Sequence, residues 1–301
     1  MTVTNAPTPR RPRPTGLAAA RLTALRAGFG VLDRITPGLA ARAAFNVWLR
    51  LPDNAGRRKD FRPGPGKVTS VRTERGTRVA VESWGDHDAP VVYLVHGWGG
   101  WRGQLGAFVT PLLERGRRVV AFDAPGHGES GQSVLGERRA SVLEAIEGFA
   151  AVADAFGPAE GVVAHSMGCS TAAMALREYN VHAERLALVA PNYDFDTMTQ
   201  ELAAQLGLSE RVRAGMQARV ERFTRRPMTD FDLAPLCADG ALPPTLVVHD
   251  RDDKEVPYRV GEELAEIWPE SELLTTTGLG HQRILTDAAV LTAIADHVTA
   301  R

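Results

Sequence analysis

Apolar residues along this chain follow two spacings, one typical of strands and one typical of helices. Short runs of consecutive apolar residues predict buried strands, and apolar residues three or four positions apart predict amphipathic helices, most clearly at 142–156. From residue 90 onward, the predicted strands are 90–95, 118–122, 161–164, 186–190, 244–249 and 271–276. Because helical stretches alternate with these runs, the sequence predicts an α/β fold with a mostly parallel central sheet and helices on both faces.

Two other patterns depart from this alternation. Residues 68–72 and 78–84 flank a turn at Arg75-Gly76, which predicts an N-terminal antiparallel hairpin at the edge of the sheet. Between 192 and 240 the strand pattern pauses and apolar residues recur at helical spacing. We expect two or three amphipathic helices there, which would form a short helical lid.

The first 60 residues differ in character from the rest of the chain. Proline and arginine dominate residues 1–16, a composition that predicts a disordered basic arm. Residues 17–60 are predicted to form an N-terminal helical segment, with a break between two helices at Pro37-Gly38. The apolar residues that recur at helical spacing in this segment are Leu22, Leu25, Phe29, Leu32, Phe45 and Trp48.

Charge is divided unevenly, although the whole chain carries a formal net charge of −1. Residues 1–62 contain 12 Arg or Lys and 3 Asp or Glu. Two interpretations of this basic segment stay open: its helices pack on an acidic body with the arginines facing it, or they make peripheral contact with an anionic membrane. Nucleic acid is not an expected partner, because no aromatic residues are interleaved with the arginines and no known binding module is present.

Composition is that of an ordinary soluble protein, with 44% hydrophobic residues and two cysteines. Cys169 and Cys237 lie in different predicted segments and do not suggest a disulfide framework, which favours a reducing compartment. Arginines interrupt each N-terminal apolar run, so neither a signal peptide nor a spanning helix is predicted. We therefore expect a cytoplasmic protein, with a membrane-peripheral location left open.

One pentapeptide, Ala164-His165-Ser166-Met167-Gly168, joins a predicted strand to a predicted helix. A serine between small residues at such a junction is typical of the nucleophile elbow, a sharp turn that lifts the hydroxyl above the sheet. Gly168 fits the G-x-S-x-G pattern, and Ala164 departs from it by one methyl group. Ser166 is therefore the candidate nucleophile.

Three loops that follow other predicted strands contain the remaining candidates. His96-Gly97-Trp98-Gly99-Gly100 is rich in glycine and suited to exposing backbone N–H groups. Residues 250–257 contain several carboxylates, and His281 follows the last predicted strand. The chain order of serine, carboxylate and histidine, each beyond the carboxyl end of a strand, matches the α/β-hydrolase arrangement and neither the chymotrypsin nor the subtilisin order.

From about residue 68 onward the chain resembles the α/β-hydrolase superfamily, in its serine esterase and lipase-like branch. The resemblance implies that residues 61–301 form the catalytic domain, with the lid inserted at about 192–240. It also implies that Ser166 and His281 are catalytic and that the backbone N–H groups of Trp98 and Met167 form the oxyanion hole. The residues expected to support these loops are His96, Gly97, Gly99, His165 and Gly168.

The acid of the site is less directly indicated than the serine and the histidine. Alignment of Val256-Pro257 with the acid loop of the family implies Asp253. Asp250 and Asp252 in the same loop are alternatives, and so is Asp194, because some members of the family take the acid from the end of the preceding strand.

These residue types together supply what acyl transfer requires. A histidine base removes the serine proton, a carboxylate orients the histidine, and backbone N–H groups stabilise the oxyanion. We expect a serine hydrolase that cleaves a carboxylic ester or thioester of an apolar small-molecule acyl substrate through an acyl-serine intermediate. An acyltransferase on the same triad and a non-catalytic, ligand-binding member of the fold are the alternatives.

Neither a cofactor nor a metal is expected. The histidines that might suggest a metal centre are His96, His127, His165 and His281, and no pair of them has the helical spacing of a zinc site. The glycine-rich loops lack a P-loop lysine and the spacing of a dinucleotide fingerprint, so no nucleotide is predicted either.

Overall fold

One eight-stranded sheet organises the protein, in a computed structural model that describes residues 16–53, 59–192, 194–238 and 240–300. Its strands are β1 (Lys67–Arg72), β2 (Arg78–Trp84), β3 (Val91–Val95), β4 (Arg118–Phe122), β5 (Ala159–His165), β6 (Ala183–Val189), β7 (Thr245–Asp250) and β8 (Ser271–Thr276). They lie side by side in the order β1-β2-β4-β3-β5-β6-β7-β8. Strand β2 is antiparallel to β1 and β4, and the other neighbouring pairs are parallel, which confirms the predicted sheet and its N-terminal hairpin.

Helices cover both faces of this sheet, as predicted. They are α1 (Leu17–Ile35), α2 (Pro37–Trp48), α3 (Val109–Glu114), α4 (Val142–Phe156), α5 (Met167–Glu178), α6 (Phe195–Leu206), α7 (Glu210–Thr224), α8 (Leu233–Cys237), α9 (Arg259–Ile267), α10 (Gly280–Arg283) and α11 (Ala288–Val298). The sheet packs against α4, α5, α8 and α9 on one face and against α3 and α11 on the other. The predicted arm at 1–16 lies outside the described residues, apart from residue 16.

The two faces explain why the central strands are apolar at nearly every position. Successive side chains of a strand point to opposite faces, and the adjacent residues Val162 and Val163 of β5 belong to different hydrophobic clusters. Every residue of β3, β4 and β7 is buried. A strand covered on both sides has no position that needs a polar residue, so it reads as a continuous apolar run.

Side-chain caps define where several helices begin. Ser141 Oγ accepts a hydrogen bond from the backbone N–H of Glu144 at 3.2 Å, which fixes the start of α4. Asp287 Oδ1 accepts from the N–H groups of Ala289 and Val290 at the start of α11. Such caps satisfy N–H groups that have no partner within the helix.

Helices α6, α7 and α8 lie between β6 and β7 in the chain, and we call them the inserted helices. The N-terminal helices α1 and α2 pack on the inserted helices through a separate hydrophobic cluster whose buried members are Phe29, Ala40, Ala44, Leu206, Val212 and Met216. Small residues bring α2 and α7 close together, since a Cβ added at Gly215 would lie only 2.8 Å from Cβ of Ala41. The N-terminal helices therefore contact the insertion rather than lying apart from the protein.

The charges at this contact differ from the expectation that N-terminal arginines face acidic residues. Arg26 Nε donates to the carbonyl oxygen of Gln205 at 2.7 Å, near the C-terminal end of α6, where backbone carbonyls lack helical partners. The ion pair at the contact has the opposite sense, because Arg211 of α7 binds Asp33 of α1 at 2.8 Å. Helix-end carbonyls, rather than carboxylates, accept the guanidinium of Arg26 at this contact. Elsewhere in the basic segment, Arg62 does bind an acidic residue of the body, Glu82, at 2.6 Å.

None of the described helices combines the length and the apolar character that crossing a lipid bilayer requires.

Candidate active site

Ser166 lies at the sharp turn between β5 and α5. Its backbone angles are φ 53° and ψ −124°, a left-handed conformation that is strained for any residue with a side chain. The turn packs so closely that a Cβ added at Gly168 would lie 2.5 Å from the carbonyl oxygen of Val95. The close contact with strand β3 therefore requires a residue without a side chain at Gly168.

The glycine-rich loop after β3 lies directly against this turn. A Cβ added at Gly97 would lie 3.0 Å from Cβ of Ser166, so glycine lets the loop backbone approach the serine. His96 Nδ1 donates to the carbonyl oxygen of Gly97 at 2.8 Å, and its Nε2 accepts from the N–H of Ala124 at 3.0 Å. These bonds fix the loop between the end of β3 and the loop after β4.

His127 supports the same loop from the other side. Its Nε2 accepts a hydrogen bond from the backbone N–H of Gly99 at 3.1 Å, and its Nδ1 lies 3.1 Å from the carbonyl oxygen of Pro125. The rings of His96 and His127 are 5.0 Å apart. Each of these two histidines therefore binds backbone groups, and among the described residues no group of three or more His, Cys, Asp or Glu side chains is placed to bind a metal ion.

A buried arginine, which the sequence did not single out, orders the loop after β4. Arg102 is 3% exposed and binds Glu82 at 2.8 Å, Asp123 at 2.5 Å and Glu129 at 2.7 Å. Its backbone N–H also donates to Asp123 at 2.7 Å. Buried carboxylates need such partners because an unpaired buried charge is costly. The network therefore connects Arg102, just after the glycine-rich loop, to Asp123, just after β4.

His281 and Asp253 form a buried pair. Nδ1 of His281 lies 2.7 Å from Oδ2 of Asp253. Oδ1 of Asp253 accepts the backbone N–H groups of Glu255 at 2.7 Å and Val256 at 2.9 Å. Burial alone would raise the pKa of Asp253, but hydrogen bonds from His249, His281 and the amide of Val256 outweigh it and hold that pKa well below its usual range. Asp253 is thus a carboxylate positioned to orient the imidazole of His281.

The other candidate carboxylates have different partners. Asp250 Oδ2 accepts from the hydroxyl of Thr276 at 2.7 Å and from the N–H of Leu279 at 3.0 Å. Asp252 accepts from the N–H of Gly278 at 2.9 Å. Asp194 is exposed and caps the N-terminus of α6. Asp250 and Asp252 therefore order the loop that carries His281, while Asp194 acts within its own helix.

Two further histidines contact this pair. Nε2 of His165 lies 3.0 Å from the carbonyl oxygen of His281, and the two rings are 4.7 Å apart. Burial, followed by the nearby His281, lowers the pKa of His165 to about 3, so His165 is neutral and donates this bond. His249 is also buried, and its Nε2 lies 3.5 Å from Asp253 Oδ2. His249 was not predicted as a site residue, because in the sequence it is only the last residue of an apolar run that predicts a buried strand.

Ser166, His165 and His281 line one cavity of about 360 Å³. Most of the other lining side chains are apolar. Helices α6 and α7 supply Phe195, Met198, Val220 and Phe223, and the segment between α7 and α8 supplies Met228 and Phe231. The polar or charged groups in the rest of the lining are Gln104, Ser141, Asn192, Thr224, Glu255 and Gln282. The cavity therefore combines an apolar interior with a few polar groups, as small-molecule sites commonly do.

Helix α2 and the residue after it also contribute to this cavity, which was not predicted from the sequence. Trp48 at the end of α2 and the following Leu49 line it. The rings of Trp48 and Phe195 meet edge to face with their centroids 6.4 Å apart. Trp48 was recognised only as an apolar position of a helix, since its partner on α6 is distant in the chain.

Comparison with known proteins agrees with this architecture. A family model described as an alpha/beta hydrolase fold matches residues 90–236, and a second, described as a TAP-like protein, matches residues 226–300. The chain belongs to the α/β-hydrolase superfamily, and the proteins similar to it include esterases and lipases.

Three similar proteins illustrate the relationship. The bifunctional esterase/perhydrolase DCH of Acinetobacter calcoaceticus is 26% identical over 269 residues, which is 73% of this chain and 95% of that protein. The crystal structure of a putative lipase from Acinetobacter baumannii AYE is 19% identical with a TM-score of 0.58, covering 75% of this chain and 88% of its own. A membrane phospholipase A is 20% identical with a TM-score of 0.58, covering 95% of this chain and 98% of its own.

Proposed function

We propose that this protein is a serine hydrolase that cleaves carboxylic esters through an acyl-serine intermediate. His281 removes the proton from the hydroxyl of Ser166, which attacks the ester carbonyl. Asp253 keeps the imidazole in the required tautomer and stabilises the imidazolium that forms. Protonated His281 then gives its proton to the departing alcohol, and water attacks the acyl-serine in the second half of the reaction.

The observation that carries this proposal is the pairing of a buried histidine and carboxylate beside a strained serine. The His281 Nδ1 to Asp253 Oδ2 distance is 2.7 Å, and this leaves Nε2 as the ring atom that can serve as the base. His281 lines the same cavity as Ser166. A base with an orienting carboxylate is the feature that activates a serine hydroxyl near neutral pH.

The oxyanion of the tetrahedral intermediate is proposed to bind the backbone N–H groups of Trp98 and Met167. Met167 is the first residue of α5, where a backbone N–H has no acceptor within the helix. Trp98 follows Gly97, whose close approach brings the loop backbone to the serine. By analogy with known sites, each donor contributes about 3 kcal/mol to stabilising the transition state.

The proposed substrates are small apolar esters, with short or medium acyl groups favoured over charged ones. The inserted helices act as a lid in this proposal, since their apolar side chains form much of the cavity lining. Glu255 also lines the cavity and lies 4.0 Å from Nε2 of His281, so it would disfavour an anionic acyl group. The similar esterase of Acinetobacter calcoaceticus supports an ester substrate.

Acyl transfer to another acceptor is the weaker alternative, because the similar proteins include esterases and lipases. A non-catalytic role is not favoured either, since serine, histidine and carboxylate are all present with a paired geometry. We further propose a cytoplasmic location. It is supported by Cys169 and Cys237, which are both buried free thiols.

A labelling experiment tests the proposal. A fluorophosphonate probe should modify the wild-type protein at Ser166 and should not modify the Ser166→Ala variant, which should also lose hydrolysis of p-nitrophenyl esters. Ser170→Ala is the matched control, because Ser170 is a buried serine one helical turn away that does not line the cavity. Labelling that persists in Ser166→Ala would overturn the assignment, and a p-nitrophenyl ester series of increasing acyl length would measure the reach of the cavity.

A further inference from the structure

Helix α1 has an apolar face that no part of the described structure covers. Residues at positions i, i+4, i+7, i+11 and i+15 lie on one side of a helix. In α1 these exposed residues are Ala20, Ala24, Ala27, Val31 and Ile35. Val31 is 53% exposed and Ile35 is 72% exposed. We call these five residues, together with the exposed Leu39 at the start of α2, the apolar ridge.

The ridge is not needed for packing α1 on the protein. Phe29 lies on the opposite side of α1 and is buried against the inserted helices. A helix that packs by one face normally places polar residues on the other. Two arginines, Arg21 and Arg34, flank the ridge and are exposed. Helix α1 therefore presents an apolar surface bordered by positive charge.

More positive charge lies beside the end of the ridge. A groove of about 300 Å³ between α2 and α7 is lined by Pro37, Gly38 and the arginines Arg211, Arg219 and Arg222. Gly38 directly precedes Leu39 of the ridge, and Arg219 donates to the carbonyl oxygen of Gly38 at 3.2 Å. The groove therefore opens next to exposed apolar side chains. Arg211 is paired with Asp33, which leaves Arg219 and Arg222 as the guanidinium groups that can bind an anion.

We propose that the apolar ridge and the arginines of this groove form a docking surface for an anionic lipid membrane. The ridge would enter the interface between headgroups and acyl chains, while Arg219 and Arg222 would bind lipid phosphates. This combination of an exposed apolar stripe with flanking arginines is the pattern of helices that lie in a membrane surface.

Charge favours a membrane over a second copy of the chain as the occupant. A two-fold dimer brings the same surface of each copy together. Arg34 and Arg222 of one copy would then approach the same arginines of the other, and like charges across an interface are unfavourable. A surface rich in lipid phosphates has the opposite charge and imposes no such penalty.

Docking at this surface would place the candidate active site close to the membrane. Leu39 of the ridge lies in the first turn of α2, and the last residue of α2, Trp48, lines the cavity with Ser166. Helix α2 would then connect the docked ridge to the cavity that contains Ser166. The docking itself requires no chemistry at Ser166, so it can be tested separately from the proposed hydrolysis.

Vesicle co-sedimentation of the full chain tests the proposal. We expect the protein to sediment with phosphatidylcholine vesicles that contain about one third phosphatidylglycerol, and far less with phosphatidylcholine alone. Binding should weaken as salt rises from about 0.1 M to about 1 M, because salt shortens the range of the arginine charges. Failure of the wild-type protein to bind the anionic vesicles would overturn the proposal.

Two variants locate the surface. Val31→Ser/Ile35→Ser/Leu39→Ser should reduce vesicle affinity by at least about tenfold. Its control carries three substitutions at exposed apolar residues elsewhere: Val68→Ser, Val134→Ser and Ile267→Ser. The control should bind vesicles like the wild type. Equal binding by the ridge variant and its control would place the docking surface elsewhere.

The arginine variant Arg219→Gln/Arg222→Gln should lose about fivefold in affinity per charge removed and should bind with a weaker salt dependence. Arg72→Gln/Arg75→Gln is its control, because both arginines are exposed on the edge hairpin. Melting temperature and hydrolysis of a soluble ester should stay unchanged in the ridge variant. A wild-type protein that dimerises in ultracentrifugation and becomes monomeric on ridge substitution, without vesicle binding, would show that a second copy covers this face.

Discussion

Replacement of Asp253 by asparagine should stop catalysis while leaving the fold intact. Oδ1 of Asp253 accepts two backbone N–H groups, at 2.7 Å and 2.9 Å, from Glu255 and Val256. In Asp253→Asn the side-chain carbonyl oxygen must take this place, since an NH₂ group there would face two donors. The NH₂ group then faces Nδ1 of His281, 2.7 Å from the present Oδ2.

This exchange forces the wrong tautomer on the base. Nδ1 of His281 must now accept a hydrogen bond, so the ring proton moves to Nε2, which can no longer take the proton of Ser166. For a triad carboxylate, loss of the tautomer lowers kcat by about 10⁴, which corresponds to about 5 kcal/mol in the activation free energy. The side chain keeps its volume and both backbone hydrogen bonds, so we expect little change in melting temperature.

Steady-state hydrolysis of p-nitrophenyl acetate measures kcat, and circular dichroism measures the melting temperature. Asp250→Asn is the matched control, because Asp250 binds Thr276 and the N–H of Leu279 rather than the imidazole. It should lose stability by about 1–3 kcal/mol through an unsatisfied donor, with a far smaller loss in kcat. If Asp253→Asn keeps kcat within about tenfold of the wild type, or if Asp250→Asn is the less active variant, the assignment of the acid is wrong.

Three other perturbations have defined outcomes. Removal of residues 1–50 uncovers the apolar side of the inserted helices and should lower the melting temperature or cause aggregation; a stable, fully active shortened protein would contradict the observed packing. The pKa of His165 is lowered to about 3, so the unfolded state binds a proton that the folded state does not, and stability should fall as pH decreases from neutral to about 4. Urea unfolding of His165→Gln should show a smaller fall over the same pH range, and parallel curves would refute this linkage. Arg102→Met removes the ion pair of the buried Asp123, while Glu82 keeps its pair with Arg62, and should cost about 3–5 kcal/mol in urea unfolding. Arg115→Met, at a solvent-accessible pair, should cost at most about 1 kcal/mol.

Sequence reasoning succeeded where a feature depends on neighbouring residues. Strand β4 and helix α4 begin and end where the patterns at 118–122 and 142–156 predict. The run of β4 is buried on both faces, and α4 starts at the cap provided by Ser141, so both signals are local. The strained turn at Ser166 was likewise predictable from the glycine two residues later, because close contact of Gly168 with the end of β3 leaves no room for a side chain.

Features that depend on distant contacts were not predictable in the same way. Asp250 ends β7 and Asp253 follows three residues later, so the sequence alone does not distinguish them. The three-dimensional structure shows that Asp250 binds Thr276 and that Asp253 binds His281. The partners of Arg102 come from β2 and from the loop after β4, and no local pattern links them. The partners of the N-terminal arginines are distant in the chain as well: Arg26 binds a helix-end carbonyl and Arg62 binds Glu82, and net charge does not specify which groups meet.

The edge-to-face contact between Trp48 and Phe195 has a kinetic consequence. Both rings line the cavity, yet neither belongs to the sheet that carries Ser166 and His281. Separation of the two rings would therefore widen access to the serine while the sheet stays folded, at a lower free energy than global unfolding. Amide hydrogen exchange in α2 and α6 would then be faster than in α5. For bulky esters, the frequency of this opening would limit turnover. Substitutions at these two rings would therefore change turnover without changing any atom that takes part in the reaction.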